Sequence, residues 1–188
     1  MPRTVTIVAP PATRNGEPHV GHLSICARIF SLLESEQCRY EVIRHAPMGE
    51  TVSASRIRGH DLRQAAKSLV LEATDRDDKT RRYYLAVVPG HKRVDLKFLR
   101  SVLNAKRVQF ASEEKAKELT GCVMGAVPPF SFHKDLRVMF DMTIADVDQL
   151  VFNAGELDVS VAMPTRDYLR IVRNSEGYYA RNSLAIAS

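Results

Sequence analysis

A chain of 188 residues, 45% of them apolar, is long enough for one domain with a sizeable core, and no run approaches the ~18 uninterrupted apolar residues of a membrane span. Three cysteines (Cys26, Cys38, Cys122) without a CxxC pair read as reduced thiols of a cytoplasmic protein rather than as a disulfide framework. The net charge of +5 is uneven: Lys79 to Arg107 carries nine Lys or Arg against one acid, Asp95, whereas Val138 to Thr165 carries five acids and no Lys or Arg. Such a basic stripe fits a polyanionic partner such as RNA, or is a solvated face of dispersed lysines.

In chain order, Thr4 to Ala9 reads as a strand, followed by a Pro/Gly-broken segment to Gly21. The opening MPRTVTIVAPPATRNGE has proline and polar residues where a signal peptide would have its apolar core and cleavage site. APPATRNGEPHVGH is similar to the ATP-binding signature of class I aminoacyl-tRNA synthetases, with His19, Val20, Gly21 and His22 at the His-x-Gly-His positions. No lysine-rich second signature and no room for the nucleotide-binding domain accompany it, so coincidence or a relic is the better reading. Two histidines without further ligands are weak evidence for a metal.

From His22 to about Glu36, Ile25, Cys26, Ile29, Phe30 and Leu33 fall on one face of an amphipathic helix. Arg39 to Arg44 alternates like a strand, and residues 51–60 read as a small, polar stretch turning at Gly59. Asp61 suits the N-cap of a short helix, Leu62 to Ala66, which gives way to an apolar strand, Ser68 to Glu72. Lys67 stands at that junction among Ala65, Ala66, Leu69, Val70 and Leu71. Either its stem is buried with the ammonium facing a cavity, or it snorkels to solvent at a sheet edge.

Thr74 to Thr80 reads as the tip of a hairpin whose second strand is Arg82 to Val88. Asp95 caps a helix through Leu103, Arg107 to Phe110 is a strand, and Ser112 starts a helix with Glu113 and Glu114 in its first turn. Strands follow at Arg137 to Phe140, Leu150 to Phe152 and Asp158 to Met163, then a last helix from Thr165 to about Val172 and a frayed tail from Asn174. Several strand pairs are joined too tightly for parallel crossovers, which argues for a mixed sheet.

Between helix and strand lies Gly121 to Phe132, GCVMGAVPPFSF. Glycine permits close approach of the backbone and positive φ, and proline fixes φ, so the loop is stiff. It reads either as an apolar turn closing the end of a sheet or as a surface presenting N–H groups to a carbonyl, ester or phosphate. Cys122 in this loop has no nearby base in sequence and reads as packing.

The order of Lys67 in AAKSLVL, AVVPG, VDLKFLR, VQFASEEKAKELTG, GAVPPF and FNAGELDVSV resembles the YbaK-like family, the prolyl-tRNA-synthetase-associated aminoacyl-tRNA deacylases. The likeness runs over roughly residues 24 to 172. Its sharpest signatures are the lysine ending the short helix and the Gly-x-x-x-Pro loop of Gly125, Ala126, Val127, Pro128 and Pro129. The resemblance implies a single α/β domain, residues 23–173, with a mixed, barrel-like sheet surrounded by helices and no metal or cofactor. Residues 1–22 would form an arm and 174–188 a tail.

The implied activity is trans-editing, hydrolysis of the ester joining a wrong amino acid to the terminal adenosine of a tRNA. By position, Lys67 would anchor the tRNA end by its phosphate or ribose, and Gly125 would present its N–H to the substrate carbonyl. Pro129 would hold the shape of the loop that also carries Val127. Asn153, Gly155 and Asp158 match the far wall of the pocket; Asn153 stands where some members carry serine, a departure that bears on substrate choice. His45 is either a pocket residue or a histidine satisfied at a strand end. The implied partners are the tRNA acceptor end and an aminoacyl-tRNA synthetase, with no membrane. A non-catalytic module of the same fold that binds tRNA or a synthetase is the alternative; a class I synthetase fragment is a third reading, resting on His19–His22 alone.

Overall fold

The computed structural model describes residues 23–77, 79–174, 179–181 and 184–187. The Thr4–Ala9 strand and the His19–His22 motif lie outside them. Ser24 starts α1 (Ile25–Ser35) by accepting the Ala27 N–H, and Ile29 and Leu33 bury the face foreseen for it. β1 (Glu41–Arg44) follows, and then comes the first departure: the small, polar stretch before the turn at Gly59 is a helix, α2 (Thr51–Arg58). Glu50 caps it with both carboxylate oxygens, on the N–H groups of Val52 and Ser53, and Gly59 ends it in the left-handed conformation at φ 67°. The segment has no apolar stripe because it buries Ala54, Ser55 and Arg58 instead.

Asp61 caps a single 3-10 turn, Leu62–Gln64, and Gln64 bonds back to the Asp61 N–H. The chain is already extended at Ala66, so Lys67 belongs to β2 (Ala66–Asp75) and does not end a helix. β2 and β3 (Arg81–Pro89) form the expected hairpin. A short strand, β4 (Lys92–Val94), precedes α3 (Leu96–Val102), β5 (Ala105–Phe110) and α4 (Glu113–Thr120). β6 (Leu136–Asp141), β7 (Gln149–Asn153), β8 (Val159–Pro164) and α5 (Thr165–Asn174) complete the expected elements. The tail is not simply frayed: β9 (Tyr179–Arg181) and β10 (Ala185–Ala187) pair with the body of the protein.

The strands form a mixed α/β arrangement, as expected, but not one closed barrel. A five-stranded sheet runs β5-β2-β3-β6-β9, with β3, β6 and β9 parallel and the β2 pairings antiparallel. A three-stranded antiparallel sheet runs β1-β8-β7, and β4 pairs with β10. One parallel bridge, Ala65 to Val151, brings the start of β2 against β7.

The period of two along β2 and β3 divides the core. Val70, Leu85 and Val87 face α1, α4, the small sheet and α5, while Leu71, Ala73, Tyr84 and Ala86 pack with Leu99 of α3 and Leu184. Asp141, wholly buried, fastens the tail by accepting the N–H groups of Leu184 at 2.9 Å and Ala185 at 3.1 Å.

Candidate active site

The loop from Gly121 to Phe132 is anchored at its C-terminal half by aromatic packing. Phe130 meets Phe152 and Tyr168 edge-on, at 5.8 and 5.4 Å between ring centroids, and the Tyr168 hydroxyl donates to the Pro129 carbonyl at 3.2 Å. Nearer its start, the Ala126 N–H donates to the Val123 carbonyl at 3.0 Å, closing a turn with Gly125 at φ 84°. A Cβ on Gly125 would lie 2.4 Å from the Gly49 Cα, so glycine is required there twice, by its φ and by the backbone beside it.

A cavity of about 240 Å³ opens where this loop meets the start of β2, the N-terminal part of α2 and the end of β7. Lys67, Gly125, Val127 and Asn153 all line it. Pro129, Gly155, Asp158 and His45 do not, and each is held elsewhere. The Pro129 carbonyl takes the Tyr168 hydroxyl, and Gly155 donates its N–H to Ala126 at 3.0 Å and passes close against Ile25 of α1. The Asp158 carbonyl accepts the His45 N–H.

Lys67 is half-buried and lines the cavity, but its ammonium is not free within it. Its ammonium donates to the carbonyls of Gly90, at 3.4 Å, and Lys92, in the β3–β4 turn. Two of its three protons are thereby spent. Burial, with Arg93 nearby, holds its pKa below the ordinary lysine value. Gly125 lines the same cavity, and its N–H has no hydrogen-bond partner among the described residues.

Gly49, Thr51, Ala54, Arg58 and Ser160 are among the residues in or behind the site that were not foreseen. Thr51, Ala54 and Arg58 lie on one face of α2 and line the cavity. Arg58 is 5% exposed, and its guanidinium donates to Ala54 O at 3.0 Å, Ser160 Oγ at 3.2 Å and Asn153 Oδ1 at 3.4 Å. No carboxylate pairs with it among the described residues, and burial pushes its pKa down to about 10. The Asn153 amide donates to the carbonyls of Met48 and Gly125, both at 2.9 Å, so one side chain ties the two loops that wall the cavity.

His45 stands behind this network. Its Nδ1 lies 2.8 Å from the Ala46 carbonyl and must carry the proton, leaving Nε2, 2.7 Å from Ser160 Oγ, to accept in the neutral ring. Ser160 Oγ also lies 2.8 Å from Asn153 Oδ1, so its single proton serves either His45 or Asn153, and Arg58 donates to the same Oδ1 at 3.4 Å. His45 is thus satisfied at a strand end, yet connected to the cavity through Ser160.

The thiols offer no nucleophile of ordinary reactivity. Burial pushes Cys122 up to about 11 and Cys26 to about 11. Among the described residues no cluster of three or more His, Cys, Asp or Glu side chains is placed to hold a metal ion. The cavity offers instead a free backbone N–H, an anchored ammonium and a buried guanidinium, a donor-rich set suited to an ester or phosphate.

Comparisons with known proteins place the chain in a family. The chain is 39% identical over 147 residues to the multifunctional Ser/Thr-tRNA deacylase ProXp-y of Escherichia coli (strain K12), covering 78% of this chain and 87% of that protein. It is 25% identical over 149 residues to the prolyl-tRNA editing protein ProX of Acetoanaerobium sticklandii, covering 77% and 88%. A solved structure provisionally assigned as a trans-editing enzyme for prolyl tRNA synthetase superposes with a TM-score of 0.66 at 20% identity, over 86% of this chain and 98% of the other, a likeness of fold. The model of the aminoacyl-tRNA editing domain matches residues 45–171, and the chain belongs to that family.

Proposed function

We propose that this protein is an aminoacyl-tRNA deacylase that acts in trans, hydrolysing the ester between a wrong amino acid and the terminal adenosine of a tRNA. The observation that carries this reading is the convergence of Lys67 and the unpartnered Gly125 N–H on one cavity in a chain of the editing family. Water adds to the ester carbonyl, and the Gly125 N–H donates to the oxygen on which negative charge develops. The carbonyl carbon's bond to the ribose oxygen then breaks, that oxygen takes up a proton, and free amino acid and uncharged tRNA leave. The remaining Lys67 proton binds the phosphate or ribose of the terminal adenosine. Activated esters need positioning more than a protein nucleophile.

Val127 and Asn153 form the wall around the aminoacyl group, while Pro129, Gly155, Asp158 and His45 hold that wall in shape. A cavity of about 240 Å³ with the Arg58 guanidinium in its lining favours a small amino acid bearing a hydroxyl, in line with the Ser/Thr-tRNA deacylase relative. The working partner is a mischarged tRNA, met in the cytoplasm beside the synthetase that releases it. Residues 23–173 carry the activity. No helix among the described residues is long and apolar enough to cross a membrane.

A panel of mischarged tRNAs tests the reading, with Lys67→Ala as control. Deacylation of seryl or threonyl esters that drops at least a hundredfold in the variant is expected. Hydrolysis of no member of the panel, or equal rates for the variant, overturns the function in favour of a non-catalytic tRNA-binding module.

A further inference from the structure

The face of the five-stranded sheet that floors the cavity continues past it into a second concavity of about 660 Å³. We propose that this groove is the track on which the phosphodiester backbone of the tRNA acceptor stem lies. The inference rests on the editing function proposed above and extends it from the ester to the body of the substrate.

Register places the groove. Ser68 and Val70 of β2 line the cavity, and Glu72 and Thr74, on the same face by the alternation of the strand, line the groove. Glu72 lies opposite Tyr83 on β3 and Gln109 on β5; Thr74 lies opposite Arg81 and Arg107. The first turns of α4 bridge the two hollows, with Ser112 and Lys115 toward the groove and Ala116 toward the cavity. At ~3.4 Å per residue, Thr74 is about 14 Å along the strand from Val70. Cavity and groove therefore form one path.

Charge names the occupant. Lys79, Arg81, Lys106 and Arg107 are exposed along this groove and Lys115 is half-buried in it. Among the described residues of its lining the only acid, Glu72, is 9% exposed and already engaged by Arg81 at 3.5 Å, Gln109 at 3.1 Å and the Tyr83 hydroxyl at 3.3 Å. The groove therefore faces solvent with cations. A-form RNA is gripped through phosphates and 2′-hydroxyls, because its deep groove hides the base edges, and a row of Lys and Arg suits that mode. Gln109 of the groove and Ala111 of the cavity are two residues apart at the end of β5 and so share this face, which makes the two hollows continuous along that strand as well. The order along the path, aminoacyl cavity and then cationic groove, is the order of ester and stem in the substrate.

Binding of uncharged tRNA by wild type and by the Lys106→Ala/Arg107→Ala double variant, followed by fluorescence anisotropy over a KCl series, tests the proposal without catalysis. The variant is expected to bind at least tenfold more weakly at low salt, with the slope of log K against log [KCl] shallower by about two. In deacylation, KM for mischarged tRNA rises by the same factor at unchanged kcat, and kcat/KM for the same amino acid esterified to adenosine alone stays at the wild-type value. Unchanged tRNA affinity and salt slope overturn the proposal, as does an equal loss on the adenosine ester, which would mean the substitutions had damaged the cavity. Wild type that binds tRNA with this salt dependence but hydrolyses no ester would sink the editing function and leave the groove standing. Hydrolysis with an unaltered slope would do the reverse.

Discussion

The Asn153 amide donates to the Gly125 carbonyl at 2.9 Å, and so fixes the peptide plane that follows Gly125, the proposed oxyanion donor. The N–H of that plane belongs to Ala126 and is bound to Val123, so both ends of the plane are tied. With the plane held, the φ of 84° at Gly125 decides where the Gly125 N–H points. Asn153→Ala releases the Gly125 and Met48 carbonyls together and removes an acceptor from Arg58. A fall of about 10–100-fold in kcat, larger than any change in KM, and a loss of about 1–3 kcal/mol in stability are expected. Single-turnover deacylation and urea unfolding read the two separately; unchanged kcat would detach Asn153 from the oxyanion donor.

Gly125→Ala is expected to be the most damaging single-methyl change in the chain. The new Cβ would meet the Gly49 backbone at 2.4–2.8 Å and would hold alanine at a φ that L residues avoid. Gly49→Ala is the matched control, because its Cβ would meet its neighbours at 3.2–3.3 Å, one of them the movable end of the Leu157 side chain, and no positive φ is involved. Deacylation lost to background in the first variant and reduced less than tenfold in the second, with thermal unfolding measured on both, is the expected pattern.

Lys67 makes a pH prediction. Burial holds its pKa below the ordinary lysine value, so the ammonium loses its proton at lower pH than an exposed lysine would. If the charged form grips the terminal nucleotide, kcat/KM corrected for spontaneous ester hydrolysis declines on the alkaline side, starting below the free-lysine range. Lys67→Arg keeps its charge throughout and should abolish that decline, at a lower plateau because a planar fork fits the Gly90 and Lys92 carbonyls poorly. An alkaline limb that persists in the arginine variant would move the titration to another group.

How much of this could be read from the sequence depended on whether a feature was local. α1 and α4 were legible because Ser24 and Ser112 cap them and Ile29, Leu33, Ala116 and Leu119 supply the buried face. The loop around Gly125 was legible because glycine and proline constrain the backbone wherever they occur. α2 was not, since a helix that buries Ala54, Ser55 and Arg58 has no apolar period to detect. Nor was the Arg58–Ser160 bond, whose partners are 102 residues apart and meet only when β8 is laid beside β7. The pairing of the tail has the same cause: β10 finds β4, and Asp141 finds the Leu184 N–H, across the fold.

Arg58 gives the sharpest test of substrate choice. A guanidinium that is 5% exposed, without a carboxylate and bonded only to Ala54, Ser160 and Asn153, retains donor capacity toward the cavity it lines. On the proposed function a seryl or threonyl hydroxyl would accept from it, whereas an alanyl methyl would leave it unsatisfied, and sites built this way reject the analogue lacking the polar group. Arg58→Met keeps much of the stem's volume and removes the donors. It should lower kcat/KM for seryl-tRNA at least tenfold, about 1.4 kcal/mol of transition-state binding, while alanyl-tRNA changes by less than threefold. Arg58→Lys is the companion variant, because it keeps a charge but cannot span Ser160 and Asn153 together, and it should recover only part of the seryl preference. Equal losses on both esters would assign Arg58 to holding Asn153 in place and leave selection of the amino acid to the walls formed by Val127 and Thr51.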